Sequence, residues 1–507
     1  MPLLTALESV AGRQIHRALG PLHRRLRHHH TLRYDGVDGE TPPRTPDVWW
    51  ADDPRWYPAD APPRRHNRAT PLIDGEHFFA ALQDALSQAT AYVYIAGWSL
   101  TPYIPLARHH TDALTETRLL DLLSETAQRV PVRILLWSGA PALLQPTTRT
   151  VKEAQQTLLR EARGNVRCEL DDSARISHCH HQKAIVVDGR IAFVGGMDLT
   201  TFQGDRWDRQ SHPLRSGPNW HDMQVRIEGE AVADVERNFR QRWAATTGEE
   251  HLPHRDPVYE PVWQTAVQIV RTIPEKIYPF APQGEYGIFH AYIHAIRQAR
   301  RLIYLENQYL WSEEIMDALI EAINRRRSDP FRVIIVLPAR AYSGAYDNDK
   351  HVLRLCDVDN GRGILSVYCP YASGPSSGVH AFTYRPIYVH AKMAIIDDEW
   401  LTIGSANLNE RGFFTDSEIN AVIADATIAR NLRIDLWAEH LALPREEVEQ
   451  ADPITLADHA WVDRAAENAQ IVKRGISPLC CPACQYEPGR KPGAWLLEEA
   501  EALTFEH

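Results

Sequence analysis

The chain has 507 residues, 44% of them apolar and 24% charged, which excludes wholesale disorder and fibrous repeats and leaves material for about two to four domains. Its 55 Lys and Arg against 66 Asp and Glu give a net charge of −11, which argues against a nucleic-acid binder that neutralises a long track of phosphates. No apolar run reaches the length of about 18 residues that crosses a bilayer as a helix, and the N-terminal MPLLTALESVAGRQIHRALG lacks the core and cleavage site of a signal peptide. A soluble chain, cytoplasmic or peripheral to a membrane, is expected.

Residues 1–70 read as a leader and linker. Leu4, Leu7, Ala11, Ile15, Leu19, Leu22 and Leu26 recur at helical spacing, with Arg13, Arg17, Arg24, Arg25, Arg27 and His28 to His30 nearby. This stretch admits two readings: a helix packed on the main body, or a basic amphipathic helix on an anionic membrane surface. Thr41 to Arg68, rich in Pro, Asp and Arg, reads as a connector without regular structure.

From residue 71 the chain repeats itself. FAALQDALSQATAYVYIAGWSL at 79–100 aligns without a gap on FHAYIHAIRQARRLIYLENQYL at 289–310, with seven of 22 positions identical. Each copy predicts a helix followed by a strand, Tyr92 to Ala96 and Leu302 to Leu305. Further buried strands are predicted in matching pairs: Val132 to Trp137 with Arg332 to Leu337, Ala184 to Val187 with Met393 to Ile396, and Ile191 to Val194 with Trp400 to Ile403. Strands alternating with helices predict an α/β fold of two tandem homologous halves, 71–246 and 286–446, packed pseudo-symmetrically around one cleft. Residues 247–285, with six prolines, read as the linker between them, and 447–507 as an acidic tail. That tail holds Cys480, Cys481 and Cys484, three of seven cysteines; the odd total is no disulfide framework, and a zinc site would need further ligands.

Within each repeat, at an offset of 209, lies the same polar triplet: His181, Lys183 and Asp188, then His390, Lys392 and Asp397. In a chain with only seven lysines, independent placement gives this pattern about 0.02 times, before duplication is asked for. Strand alternation turns each His and Lys to one side, so two imidazoles and two ammonium groups look into one cleft. That set suits a phosphodiester. One neutral histidine attacks phosphorus, the other delivers a proton to the leaving oxygen, and the lysines hold the non-bridging oxygens with Asn407. All six triplet residues form the predicted catalytic set, although each aspartate, at the far end of an apolar run, is expected to anchor a turn. His178 and His180 fall on the face opposite His181, away from a shared metal site.

The duplicated triplets, with HHQKAIVVDGRIAFVGGMDL, NWHDMQVRIEGEAVADVERNFRQRW, IYLENQYL, IYVHAKMAIIDDEWLTIGSANLNERG and LRIDLWAEHL, resemble the phospholipase D superfamily over residues 71–446, in its eukaryotic-type form. The resemblance implies two α/β halves with one active site between them, chemistry through a phosphohistidine, and no metal or other cofactor. It makes His181 the nucleophile, His390 the general acid, and Lys183, Lys392 and Asn407 the phosphate ligands. Asp198 and Ser405, in the turns after the triplets, join the phosphate-binding and orienting group, and Asp222 and Glu418 match carboxylates that orient the histidines. The imidazoles then need opposite protonation, so a bell-shaped pH–rate profile is expected. Asn409-Glu410-Arg411-Gly412 departs from the family's Asn-Gln-Arg-Ser element, and Asp205 is an extra carboxylate.

The function implied is hydrolysis of glycerophospholipids at a membrane surface to phosphatidic acid and free headgroup, with transfer to alcohols. A cardiolipin synthase-like phosphatidyltransferase is the alternative, a nucleic-acid phosphodiesterase the more distant one, and no nucleic acid is expected as partner. Seventy leader residues are too few for a lipid-binding module, so a stripped catalytic core is expected. Trp98, Tyr103, Tyr309, Trp311, Phe413 and Phe414 are candidates to meet acyl chains, with at least half of them expected in the core. The Gly- and Ser-rich Tyr371 to His380 reads as a rim of the cleft.

Overall fold

The apolar runs of the two repeats become the strands of one mixed sheet. The structure, a computed structural model, describes residues 53–488 less residues 54 and 58 and the stretches 108–116, 141–145, 176–177, 326–328, 343–344 and 377–380. The chain divides into two units, Met1–Asp53 and Pro54–His507, and every helix and strand described belongs to the second. The amphipathic leader, and the end of the rim segment at 377–380, lie outside the described residues.

In the first half the main-sheet strands are β1 (Arg64–Ile73), β2 (Val93–Gly97), β3 (Val132–Trp137), β4 (Val166–Asp171), β5 (Ala184–Val187), β6 (Ile191–Gly195) and β7 (Met223–Gly229). In the second they are β8 (Thr265–Ile273), β9 (Leu302–Asn307), β10 (Arg332–Val336), β11 (Leu365–Pro375), β12 (Lys392–Ile396), β13 (Trp400–Gly404) and β14 (Glu418–Ile423), and β15 (Ala483–Gln485) follows. The pairings run β4-β3-β2-β5-β6-β7-β1 through the first half and β8-β14-β13-β12-β9-β10-β11 through the second, closing with β15. The halves join where β1 and β8 pair antiparallel, Asn67 opposite Thr265. Each order read outward from that junction repeats the other.

The strands are apolar on both faces because both are covered. Val93, Ile95, Ile185 and Val187 pack with Phe78, Phe79 and Leu82 of the helix Asp74–Ser87. The alternating residues Tyr94, Ala96, Ala184 and Val186 join Val235, Phe239 and Trp243 of the helix Val232–Thr247. That second cluster runs on into Met393, Ile395 and Ile403, so one core belongs to both halves. The helix Ala426–Leu441 packs there through Trp437 and is capped by Asp425, which accepts the N–H groups of Thr427 and Ile428.

The predicted strands stand within a residue or two of their expected places. Three boundaries differ. Arg64–Arg68, read as connector, begins β1, and β8 lies inside 247–285, read as linker. Arginines and Pro71 disguised β1, and the prolines at 253, 257, 261, 274, 279 and 282 all flank β8 without entering it. The stretch read as an acidic tail carries the helices Arg445–Gln450, Pro453–Asp458 and Ala460–Arg474, buries Trp461 completely, and returns β15 to β11 with Cys484 opposite Cys369.

Candidate active site

His181 lies just before β5, and His390 just before β12. Each is fixed by the other half. The strand Phe382–Val389, leading to His390, pairs in parallel with Asn219–His221, and the His390 N–H donates to the His221 carbonyl at 2.7 Å. In mirror fashion His180 bridges Ser417 in parallel, and the His181 N–H donates to the Ser417 carbonyl at 2.9 Å.

These crossings set each imidazole against a carboxylate of the opposite half. His181 Nδ1 lies 2.9 Å from Glu418 Oε1, and His390 Nδ1 lies 2.7 Å from Asp222 Oδ2. With Nδ1 so engaged, Nε2 of each ring is left for chemistry. Both carboxylates are tightly seated. Ser405 Oγ donates to Glu418 Oε2 and accepts the Ile419 N–H at 3.0 Å. Asp222 accepts the Met223 N–H at 2.8 Å, and a Cβ at Gly196 would stand 2.1 Å from its Oδ1, so only glycine fits there.

Burial dominates the electrostatics. It holds the His181 imidazole well below its ordinary value, helped by the charges of Lys183, Lys392 and Arg411. His390 is lowered in the same way, by burial and then by Lys392, Arg206 and Lys183. Both lysines thus act on both rings, which puts the four groups in one electrostatic neighbourhood. Burial raises Glu418 well above the usual carboxylate range and Asp222 to about 6. Burial thus disfavours the charged form of both members of each His–carboxylate pair.

The lysines are not equivalent. Lys183 Nζ pairs with Asp198 Oδ2 at 2.9 Å and donates to the His181 carbonyl at 2.8 Å. Lys392 meets the neutral Gln308 Oε1 at 3.1 Å and the His390 carbonyl, and burial lowers it to about 7. Asp198, which also accepts the Trp98 N–H at 2.9 Å, orients Lys183. Ser405 likewise serves Glu418. Asn407, at the place matching Asp198, holds a buried amide oxygen with no hydrogen-bond partner among the described residues.

Asp188 and Asp397, expected as turn anchors within the predicted catalytic set, bond backbone rather than either histidine. At φ 58° and 55°, each ends its strand and clamps the start of a neighbouring one. Asp188 accepts the N–H groups of Thr90, Ala91 and Tyr92, and Asp397 those of Arg300, Arg301 and Leu302, at 2.6 to 3.0 Å. Seven residues of largely extended chain put each about 20 Å from its histidine.

Of the aromatics, Trp98 meets His181 edge-on at 6.1 Å, and Tyr309 packs on Trp311 with centroids 4.0 Å apart. Phe413 is core, packed against Phe289 and Tyr292, and Tyr103 reaches Glu161 at the surface. His180 faces away from His181 into a buried group with Ser173, Ser417 and Asp171. The Asn409–Gly412 departure has a local basis: a Cβ at Gly412 would stand 2.5 Å from the Asn407 carbonyl. Sequence reasoning missed Arg206, buried with its guanidinium 3.7 Å over Trp220, and Gln308. It also missed Glu306, His212 and His440. The polar pair Glu306-Asn307 ending an apolar strand, both wholly buried, was the available signal.

Comparison with known proteins places the chain among relatives. The family model described as "Phospholipase D" matches residues 85–219 and 215–316, and that described as "Cardiolipin synthase, PLD-like domain" matches 292–438. Phospholipase D A of Dictyostelium discoideum is 27% identical, over 75% of this chain and 36% of its own. Phospholipase D alpha 4 of Arabidopsis thaliana is 27% identical over 77% and 68%, and phospholipase D2 of Bos taurus 24% over 82% and 57%. The chain thus spans from about a third to about two thirds of these relatives. A phosphatidylserine synthase structure from Haemophilus influenzae superposes with a TM-score of 0.46 at 13% identity, over 82% of this chain and 97% of that one. The chain belongs to the phospholipase D superfamily.

Proposed function

We propose that the chain hydrolyses the distal phosphodiester of glycerophospholipids, giving phosphatidic acid and free headgroup. His181 Nε2 attacks phosphorus, the bond to the headgroup oxygen breaks, and His390 supplies that oxygen with a proton. Water then attacks the phosphohistidine, the P–N bond breaks, and His390 takes the water's proton. Lys183, Lys392 and Asn407 hold the non-bridging oxygens. The observation that carries this reading is the crossed pairing, each histidine braced through Nδ1 by the other half's carboxylate. Burial and the neighbouring cations hold both rings low, and a phosphate anion bound beside them would raise His390 toward its proton-donating form.

The substrate is a phospholipid presented at a membrane surface; among the described residues no helix is long and apolar enough to cross a membrane. Mass spectrometry of products from mixed phospholipids, with and without a primary alcohol, tests this. Phosphatidic acid, replaced in part by phosphatidyl-alcohol, is expected, and its absence with every headgroup refutes the proposal. The match of residues 292–438 to the cardiolipin synthase model favours a second reading, transfer between phosphatidylglycerol molecules. Phosphatidylglycerol supplied alone separates the two: cardiolipin and glycerol mean transfer, phosphatidic acid means hydrolysis.

A further inference from the structure

His221, next in the chain to Asp222, is wholly buried and opens onto a second polar cluster that the phosphodiester chemistry does not use. Four segments converge there. Asp74 begins the helix after β1, His212 comes from the loop after β6, His221 ends the short strand Asn219–His221, and Glu439 lies in the last turn of Ala426–Leu441. Their side chains are at most 5% exposed.

His212 Nε2 stands 3.2 Å from Asp74 Oδ2 and 3.1 Å from Glu439 Oε1. His221 Nδ1 stands 3.0 Å from Asp74 Oδ1 and 3.9 Å from Glu439 Oε1. One ligand atom from each residue lies within 4.8 Å of all the others. A tetrahedral ion with bonds of about 2.0–2.1 Å keeps its ligand atoms about 3.3–3.4 Å apart; the two His212 contacts are near that, and the wider His221 to Glu439 pair would close on the ion.

The contacts are close ion-pair distances, short of good hydrogen-bond geometry. Asp74 Oδ2, both Glu439 oxygens, both His212 nitrogens and His221 Nδ1 are buried with no hydrogen-bond partner among the described residues. Buried groups in that state call for a cause, and a cation at their common focus supplies one. The outer contacts agree. His221 Nε2 bonds Glu306 Oε2 at 2.7 Å, and His212 Nδ1 lies 3.2 Å from Asp208 Oδ2. Each ring thus turns one nitrogen inward and the other toward a carboxylate, as metal-ligating histidines do. Glu306 also meets His440 Nε2 at 2.8 Å, and Asp74 Oδ1 accepts the Asp222 N–H at 3.0 Å.

We infer that Asp74, His212, His221 and Glu439 bind one divalent ion of the Zn2+ class, joining the two halves beneath the carboxylate that orients His390. Two imidazoles and two carboxylates in a closed, buried setting suit such an ion better than Mg2+ or Ca2+, which require more oxygen ligands. The ion is structural, and no step of the proposed reaction passes through it.

The test uses the full chain without an affinity tag, stripped with a chelator and titrated with Zn2+, reading bound zinc by elemental mass spectrometry and stability by Tm. About one tightly held Zn2+ per chain and a rise in Tm are expected. Two other zinc-binding groups are removed in a control variant: His28, His29 and His30 to Ala, with Cys480, Cys481 and Cys484 to Ser. That variant is expected to keep its zinc, and Glu439→Gln to lose it. Should Glu439→Gln fail to fold, Co2+ in the wild-type chain decides, since visible bands without thiolate charge transfer mark a nitrogen–oxygen site. The inference is overturned if zinc survives Glu439→Gln, if the control variant loses it, if Co2+ shows thiolate bands, or if neither zinc nor Tm responds. In the last case the cluster is an imidazolium–carboxylate lattice alone.

Discussion

His181 and His390 occupy the same place in one repeated motif, yet their surroundings carry different charge. Beside His181, Lys183 is ion-paired with Asp198, whereas Lys392 beside His390 meets an uncharged amide. His181, as the proposed nucleophile, must be neutral, so the acid limb of kcat/KM is expected to follow its imidazole, which burial and three cations hold low. Arg411 is one of those cations and sits at the margin of the site, paired with Asp416. Removing its charge lets the imidazole rise, so Arg411→Gln is expected to move the acid limb of the pH profile to higher pH. An unmoved limb would remove Arg411 from the electrostatics of the nucleophile. Glu418→Gln, which keeps shape but loses the proton-accepting partner of Nδ1, is expected to lower kcat on the order of 10²–10⁴-fold with KM little changed. Single-turnover kinetics would check that the loss falls on the phosphorylation step.

The strands β5 and β12 serve different ends of the fold at their two termini. At or just before the start of each stand a histidine and a lysine; at the far end an aspartate closes a left-handed turn. Asp188→Ala removes the acceptor of three backbone N–H groups and is expected to cost about 2–4 kcal/mol of stability. Turnover per folded molecule should stay near the wild-type value, as denaturant melts combined with kcat would reveal. Gly196→Ala acts in the opposite manner, because its added methyl collides with Asp222 Oδ1 and displaces the partner of His390. There the loss is expected in kcat beyond anything the melting curve accounts for.

At the scale of the whole molecule, the site exists only where both halves of one chain are folded together. The sheet runs from one half into the other through β1 and β8, and one apolar core passes beneath the junction. The carboxylates cross that junction, from position 418 to 181 and from 222 to 390. His181→Ala and His390→Ala are each expected to abolish turnover, and mixing the two variants should restore none, since neither chain holds a complete pair. Recovery of activity in the mixture would mean that the halves exchange between chains. Truncation after Leu443 is expected to give an insoluble or poorly cooperative chain, because it strips β15 from β11 and uncovers the cavity that Trp461 fills.

The sequence alone identified the residues that carry charge and nucleophilicity, the duplication, and the strands on which they stand. Those features are written in short windows: strand alternation aims His181 with Lys183, and β-branched runs bounded by turns mark β5 and β12 without reference to anything distant. It could not show that Arg64–Arg68 and Thr265–Ile273 are strands, since their pairing partners, not their composition, make them so. Nor could it assign Glu418 to His181 and Asp222 to His390, contacts between residues 237 and 168 positions apart. The same holds for His221, whose neighbours Asp74, Glu306 and Glu439 come from three separate segments. Only packing decided these, because burial and the direction of a hydrogen bond are properties of what surrounds a side chain, and the chain must fold before that surrounding exists.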